Sequence, residues 1–196
     1  MPNRPLTEKE KLAWDFAKKA HRGQVRKFIN KPYFGAHVVK VNGIVKQYTT
    51  DEDILCAALL HDVLEDCYDD VEVGYNELKD IFGKSVADLV SELTSDGDEI
   101  DDEYEGNKGD YLTNKMINMS NGALIIKLSD RLQNISDAFT ASERFRNKYF
   151  EETSKIVESL ESSRQFNRIQ RLLLNQIKMK LDNISSIFKI KRFDQF

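Results

Sequence analysis

The chain has 196 residues, of which 40% are hydrophobic and 32% charged, and this composition suits one globular domain with one core. Its formal net charge of −4 argues against a surface built for nucleic acid, and no apolar stretch approaches the roughly 18–20 residues that cross a membrane. The two cysteines form no CxxC pair, and the N-terminus lacks the apolar region of a signal peptide, so we expect a cytoplasmic protein.

Scarce proline and glycine predict an all-α fold. All three prolines precede residue 33, so the rest of the chain contains few helix breakers. Thr7 followed by Glu10 is a capping-box pattern, which begins a first helix that should end near Gly23. A basic loop, RGQVRKFINKPY, follows, and the apolar spacing after it predicts helices over about 36–48 and 52–66.

The second half of the chain is also predicted to be helical. YNELKDIFG and SVADLVSELT indicate two shorter helices separated by Gly83, a C-cap, with Ser85 as the next N-cap. Residues 95–107 contain seven acidic residues and are predicted to be a solvated loop. Further helices should lie at about 110–120, 123–136 and 142–161. We assign residues 1–162 to the domain and 163–196 to an amphipathic helical tail that packs on the domain or on a partner.

Histidine is confined to the first third of the chain, at His21, His37 and His61. A lone histidine is most often an ordinary half-buried residue, but three close together favour a site. His61 and Asp62 end the apolar run AALLHDVLED. Because a buried carboxylate needs a cation or strong hydrogen bonds, metal binding is a natural interpretation of this pair.

Two further acids, Glu65 and Asp66, follow about one helical turn later. On a continuous helix, Glu65 would share a face with His61, and Asp66 with Asp62. Carboxylates at that distance from a metal can orient or deprotonate a bound water. The alternative is a solvated helix end, which the helix dipole slightly disfavours for acidic residues.

A second apolar run, ALIIKLSDRLQN, is interrupted by Asp130 and Arg131. A structural ion pair is one interpretation of these two residues. The other is that Asp130 joins His37, His61 and Asp62 in a set of two histidines and two carboxylates. Such a set suits Mn²⁺, Fe²⁺ or Zn²⁺ with open positions for water and substrate.

The basic loop carries a local excess of positive charge in an acidic protein. Arg26 and Lys27 lie at its centre, and Lys18, Lys19 and Arg22 precede them. This excess suggests a phosphate-bearing ligand. A solvated basic face is the alternative.

Four motifs occur in order: AHRGQVRK…PY…H, AALLHDVLED, FGKSVADLVSELT and IIKLSDRLQN. Together they resemble the HD-domain hydrolases of the RelA/SpoT type, especially the small alarmone hydrolases, over roughly residues 8–160. The resemblance implies an all-helical HD fold and one Mn²⁺ ion, with Fe²⁺ or Zn²⁺ possible. It also implies removal of the 3′-pyrophosphate from ppGpp and pppGpp.

The resemblance further implies a role for each of ten residues. The implied metal ligands are His37, His61, Asp62 and Asp130. The implied catalytic pair, which positions and activates the attacking water, is Glu65 and Asp66. The implied substrate-binding residues are Arg26 and Lys27 for the guanine base and phosphates, Asn134 near the ribose, and Arg131, which supports the site.

The chain departs from the family pattern at the substrate loop. It has one extra residue between Tyr33 and His37, and KFINKPY lacks the usual glycine, with Phe28 after Lys27. An HD phosphohydrolase acting on another nucleotide is therefore an alternative, as is a catalytically weak HD module that binds a nucleotide and signals. We expect a small-molecule nucleotide partner and neither nucleic acid nor membrane, and the sequence leaves the oligomeric state open.

Overall fold

The computed structural model describes residues 4–65, 73–104 and 107–193. Helix α1 spans Glu8–Ala20 and begins at the predicted capping box. The Thr7 hydroxyl accepts from the Glu10 backbone N–H at 3.1 Å, and the Glu10 carboxylate accepts from the Thr7 N–H at 3.1 Å. These two bonds satisfy N–H groups that a helix leaves unpaired at its N-terminus.

The basic loop is a short hairpin rather than a simple loop. Strand β1, Val25–Arg26, pairs antiparallel with β2, Lys31–Pro32. A π-helical turn at Phe34–Val38 follows and leads into α2, Val39–Val45. The helix predicted over 36–48 therefore begins earlier, ends earlier and has two parts with different hydrogen-bond patterns.

Helix α3 is shorter than predicted. It spans Glu52–Leu60, and the Asp51 side chain caps it by accepting from the Ile54 N–H at 3.1 Å. The prediction of helix as far as residue 66 is wrong, because residues 61–65 form tight turns. The His61 ring binds the Ala58 carbonyl at 3.0 Å, so a side chain occupies an acceptor at the helix end.

Gly83 separates two helices, as predicted. Helix α4 spans Tyr75–Phe82 and α5 spans Lys84–Leu93, and Gly83 has a φ of 87°, which glycine adopts readily. The predicted N-cap at Ser85 is wrong, because α5 begins one residue before it.

The acidic segment contains a helix, which contradicts the prediction of a loop over residues 95–107. Helix α6 spans Gly97–Glu103. The Asp96 carboxylate caps it by accepting from the N–H groups of Asp98 and Glu99. Acidic side chains in the first turn also interact favourably with the helix dipole.

The remaining helices enclose the core. Helix α7 spans Lys108–Asn118, α8 Asn121–Ala138, α9 Glu143–Ser163 and α10 Arg168–Phe193. Helix α8 is central, because it packs against α2, α3, α5, α9 and α10.

The C-terminal helix joins the same core. Leu173, Leu174, Ile177 and Leu181 of α10 are buried in the hydrophobic cluster that includes α8. The division of the chain at residue 162 stays a prediction. Within the described ranges, no helix combines the length and the apolar character that a membrane span requires.

Candidate metal centre and active site

Three potential metal ligands converge where α3 ends beside the π-helical turn. Nε2 of His37 lies 3.2 Å from Nε2 of His61 and 3.4 Å from Oδ2 of Asp62. Nε2 of His61 lies 2.9 Å from the same Asp62 oxygen. The ligand atoms of these three residues all lie within 4.8 Å of one another. Asp130, in the middle of α8, adjoins them through Oδ1, which is 3.3 Å from Nε2 of His37.

The hydrogen bonding of His61 shows that this donor set fits a cation. Nδ1 of His61 lies 3.0 Å from the Ala58 carbonyl, which can only accept, so Nδ1 carries a proton. Nε2 faces Asp62 at 2.9 Å and is the ring nitrogen left to bind a metal. Two imidazoles with carboxylates suit a divalent transition metal.

A π-helical turn covers the residues between Tyr33 and His37, where the sequence predicts one residue more than the family pattern. The Val39 N–H bonds to the Phe34 carbonyl five residues earlier, and a π turn takes up one residue more than an α turn. Tyr33 and His37 consequently both reach the cluster. The Tyr33 hydroxyl donates to Oδ2 of Asp62 at 2.6 Å. The sequence motifs include Tyr33 but do not predict this contact, which joins residues 29 positions apart.

Two carboxylates give the cluster the negative charge that a cation site needs. Burial lowers the pKa of His37, but hydrogen bonds with Asp130 and Asp62 outweigh burial and raise that pKa to about 9, so an ion bound by His37 must displace a proton. Burial raises the pKa of Asp62, yet His61 and His37 bring it well below its usual value. Burial also raises the pKa of Asp130, but Lys127, 3.6 Å away, together with His37 and His61 brings it below its usual value. Both carboxyl groups are therefore ionised, which metal ligation requires.

A cavity of about 370 Å³ opens beside the cluster. The hairpin, α8 and α9 line it with Gln24, Val25, Arg26, Lys27, Phe28, Tyr33, Asn134, Asp137, Ala138, Phe145 and Tyr149. Two of these residues contact the cluster, because Tyr33 binds Asp62 and Nδ2 of Asn134 donates to Oδ1 of Asp130 at 2.7 Å. The volume is that of a small-molecule site.

Three of the four predicted substrate-binding residues lie at this cavity. Nε of Arg26 donates to Oδ2 of Asp137 at 3.0 Å, and its terminal NH₂ group donates to Asn134. Asn134 thus joins Arg26 to Asp130 of the cluster. Lys27 lines the cavity beside them.

Arg131 is buried and turned towards α9. Its guanidinium donates to Oε1 of Glu152 at 3.2 Å and to Oγ1 of Thr153 at 2.9 Å, and it lies over the ring of Tyr149. These contacts hold α9 against α8. Since Tyr149 lines the cavity, Arg131 supports its wall, and a direct contact with substrate stays a prediction.

Glu65 lies in the turn after α3. Its carboxylate accepts from the backbone N–H of Ser95, which connects this turn to the segment preceding α6. Because α3 ends at Leu60, Glu65 does not share a helical face with His61 as expected. Asp66 lies outside the described residues, so the catalytic pair stays a prediction.

His21 is the histidine that stands apart from the cluster. It is buried, its ring centroid lies 5.1 Å from that of Tyr33, and its Nδ1 lies 2.6 Å from Oε1 of Gln24. It therefore packs behind Tyr33, and its position agrees with the ordinary interpretation of a buried histidine.

Known proteins resemble this chain over most of its length. The family described as the HD domain matches residues 13–165. The guanosine-3′,5′-bis(diphosphate) 3′-pyrophosphohydrolase MESH1 of Drosophila melanogaster is 33% identical over 147 residues, which cover 71% of this chain and 78% of that protein. The chain also resembles a much longer protein of the same enzymatic name from Aquifex aeolicus, at 32% identity over 76% of this chain and 20% of that protein. It thus spans about a fifth of that relative's length.

A solved structure is similar in three dimensions. It has a TM-score of 0.73 and 30% sequence identity, and the match covers 89% of this chain and 96% of the other. The description of that solved structure is "A metazoan ortholog of SpoT hydrolyzes ppGpp and plays a role in starvation responses".

Proposed function

Because the chain belongs to the HD-domain family and, within it, to the RelA/SpoT-type hydrolases, we propose that it is a metal-dependent (p)ppGpp 3′-pyrophosphohydrolase. The family match and the structural similarity confirm the predicted resemblance and the predicted all-α HD fold. One observation carries the proposal: the cluster of candidate metal ligands lies at the edge of a cavity that is lined by basic and aromatic residues. A nucleotide in that cavity can bring its pyrophosphate to the cluster.

The residues that would hold the ion are His37, His61 and Asp62, with Asp130 as the adjoining carboxylate. We propose one Mn²⁺ ion, with Fe²⁺ or Zn²⁺ as alternatives that the same donor set accepts. When bound, such an ion neutralises phosphate charge and lowers the pKa of water.

The residues around the cluster position its ligands. The Tyr33 hydroxyl orients Asp62, and the Asn134 amide orients Asp130. Partners of this kind set ligand geometry and raise metal affinity. Arg26, held by Asp137 and Asn134, is preorganised to meet a phosphate or the base with little loss of side-chain freedom.

Hydrolysis requires two proton transfers. The bond between the ribose 3′ oxygen and the pyrophosphate breaks, so the attacking water loses a proton and the ribose oxygen gains one. We assign the first transfer to Glu65 and Asp66, since carboxylates near the attacking water can accept its proton. Lys27 and Arg26 would offset the charge of the phosphates.

A substrate panel tests the proposal. Metal-loaded protein is incubated separately with ppGpp, pppGpp, GTP, ATP and deoxynucleotides, and the products are separated by ion-exchange chromatography. We expect GDP from ppGpp, GTP from pppGpp, and pyrophosphate from both. Asp62→Asn, purified in parallel, controls for contaminating hydrolases.

The other outcomes of this panel identify the alternatives. Hydrolysis of another nucleotide without hydrolysis of ppGpp would show an HD phosphohydrolase of different specificity. Binding without any hydrolysis would show a nucleotide-binding signalling module. A cytoplasmic location and the small-molecule nucleotide partner stay predictions.

A further inference from the structure

Two phenylalanines line the mouth of the cavity and are largely exposed. Phe28, at the tip of the hairpin, is 49% exposed, and Phe145, in the first turn of α9, is 43% exposed. Their ring centroids lie 4.7 Å apart, and the ring planes are tilted by 46°. Phe145 is in turn nearly parallel to Tyr149, at 6.1 Å and an interplanar angle of 6°. The three rings form an aromatic row along one wall of the cavity.

The backbone at Phe28 is in an unfavourable conformation. Its φ of 71° lies in the left-handed region, which large side chains rarely adopt, whereas Asn30 at 47° is a residue type that tolerates it. Because the Phe28 side chain is half exposed, its burial contributes little to stability. Strained backbone that burial does not explain is typical of ligand-binding positions.

The wall of the cavity changes in character away from the metal cluster. Asn134 contacts Asp130, and Arg26 contacts Asn134, so the polar side chains adjoin the cluster. Phe28 comes two residues after Arg26, and Phe145 lies beside it. The cavity therefore has a polar, charged region next to the cluster and an aromatic region at the hairpin tip. A nucleotide has the same two parts, its phosphates and its base.

We propose that Phe28 and Phe145, here called the aromatic clamp, form a surface on which the base of the bound nucleotide stacks; because the two rings touch, the base lies against them and not between them. The clamp rests on the proposed function in one respect, that the nucleotide lies with its phosphates towards the cluster. It does not depend on which bond the protein cleaves. Every base has an aromatic face, so stacking holds a base without distinguishing guanine from adenine. The clamp consequently supplies affinity, and base selection falls to the polar groups of the cavity.

Isothermal titration calorimetry of the metal-loaded full chain with GDP, ADP and ribose 5-phosphate tests the clamp. Phe28→Gly and Phe145→Ala should each weaken binding of GDP and ADP about 5- to 150-fold, the effect of losing one stacked base. Binding of ribose 5-phosphate should be unchanged, because it has no base. Phe28→Gly should not lower the melting temperature, since glycine adopts a positive φ without strain.

Two further variants control the measurement. Phe145→Tyr keeps an aromatic ring and should bind GDP like the wild type. Phe139 is as exposed as Phe145, at 44%, and its ring packs against Phe150, but it does not line the cavity. Phe139→Ala should therefore leave GDP affinity unchanged.

Three results would overturn the clamp. These are unchanged affinity for GDP and ADP in both Phe28→Gly and Phe145→Ala, an equal loss of ribose 5-phosphate binding, and no binding of GDP or ADP by the wild type at millimolar concentration. Hydrolysis of ppGpp is scored separately. If nucleotide binding depends on the two rings but ppGpp is not hydrolysed, the proposed function is refuted and the clamp stands. If ppGpp is hydrolysed but nucleotide binding does not depend on the rings, the clamp is refuted and the proposed function stands.

Discussion

Replacing Tyr33 by phenylalanine should weaken metal binding without changing the shape of the site. The hydroxyl of Tyr33 donates to Oδ2 of Asp62 at 2.6 Å, and the same oxygen faces Nε2 of His61. Tyr33 is only 7% exposed, so water cannot easily replace the lost donor. Phenylalanine fills the same space, and the substitution therefore removes one hydrogen bond from a carboxylate that we assign as a ligand.

The expected loss follows from the positioning of that carboxylate. The hydroxyl can bind Asp62 with or without the ion, so its loss removes the positioning of the ligand and not the whole energy of the hydrogen bond. Loss of such a partner of a metal ligand lowers metal affinity roughly 10- to 100-fold, or about 1.4–2.8 kcal/mol. Competition with a chelator of known affinity measures this change for Mn²⁺ and for Zn²⁺.

A matched substitution controls for the loss of a phenol elsewhere. The Tyr75 hydroxyl donates to Oδ1 of Asp88 at 2.7 Å, where α4 meets α5. Tyr75→Phe should leave metal affinity unchanged. Equal metal affinity in Tyr33→Phe and the wild type would refute the reasoning, because it would mean that the hydrogen bond to Asp62 does not support a ligand.

Other substitutions test the remaining roles. His61→Ala or Asp62→Asn should abolish metal retention and activity together, and full metal occupancy of both variants by elemental analysis would defeat the ligand assignment. Glu65→Gln and Asp66→Asn should each keep fold and metal, yet lower hydrolysis by about 10²–10⁴, the usual contribution of general acid–base catalysis. Turnover near that of the wild type would assign proton transfer to another group. Arg26→Ala should raise KM or lower kcat/KM without loss of metal. The loss of transition-state stabilisation should be on the order of 1.5–3 kcal/mol, and unchanged kinetics would assign substrate binding to other residues.

Local patterns predicted most helices correctly because their causes lie within one or two turns. The capping box at Thr7 and Glu10 begins α1 as predicted, and Gly83 separates α4 from α5. Two of the errors lie where a side chain bonds to the backbone near a helix end. Asp96 caps a helix within an acidic segment predicted to be a loop, and the His61 ring binds a carbonyl where α3 ends.

The π-helical turn shows how spacing alone misleads. The sequence predicts one extra residue between Tyr33 and His37 relative to the family pattern, and on a regular α-helix such a residue would turn His37 away from the site. A π turn takes up that residue, and His37 lies 3.2 Å from His61. Spacing in the sequence predicts an added residue, whereas the packing of the turn against α3 decides where His37 lies.

By itself, the sequence determined the helical class and the chemical types of the candidate ligands, because both follow from local periodicity and residue identity. It did not determine which side chains meet. Arg26 bonds to Asp137, 111 positions away, and Phe28 contacts Phe145, while Arg131 turns towards α9 rather than the cavity. These contacts depend on how distant segments pack around α8, since core packing, and not hydrogen bonding within a helix, brings the hairpin, α8 and α9 to one cavity.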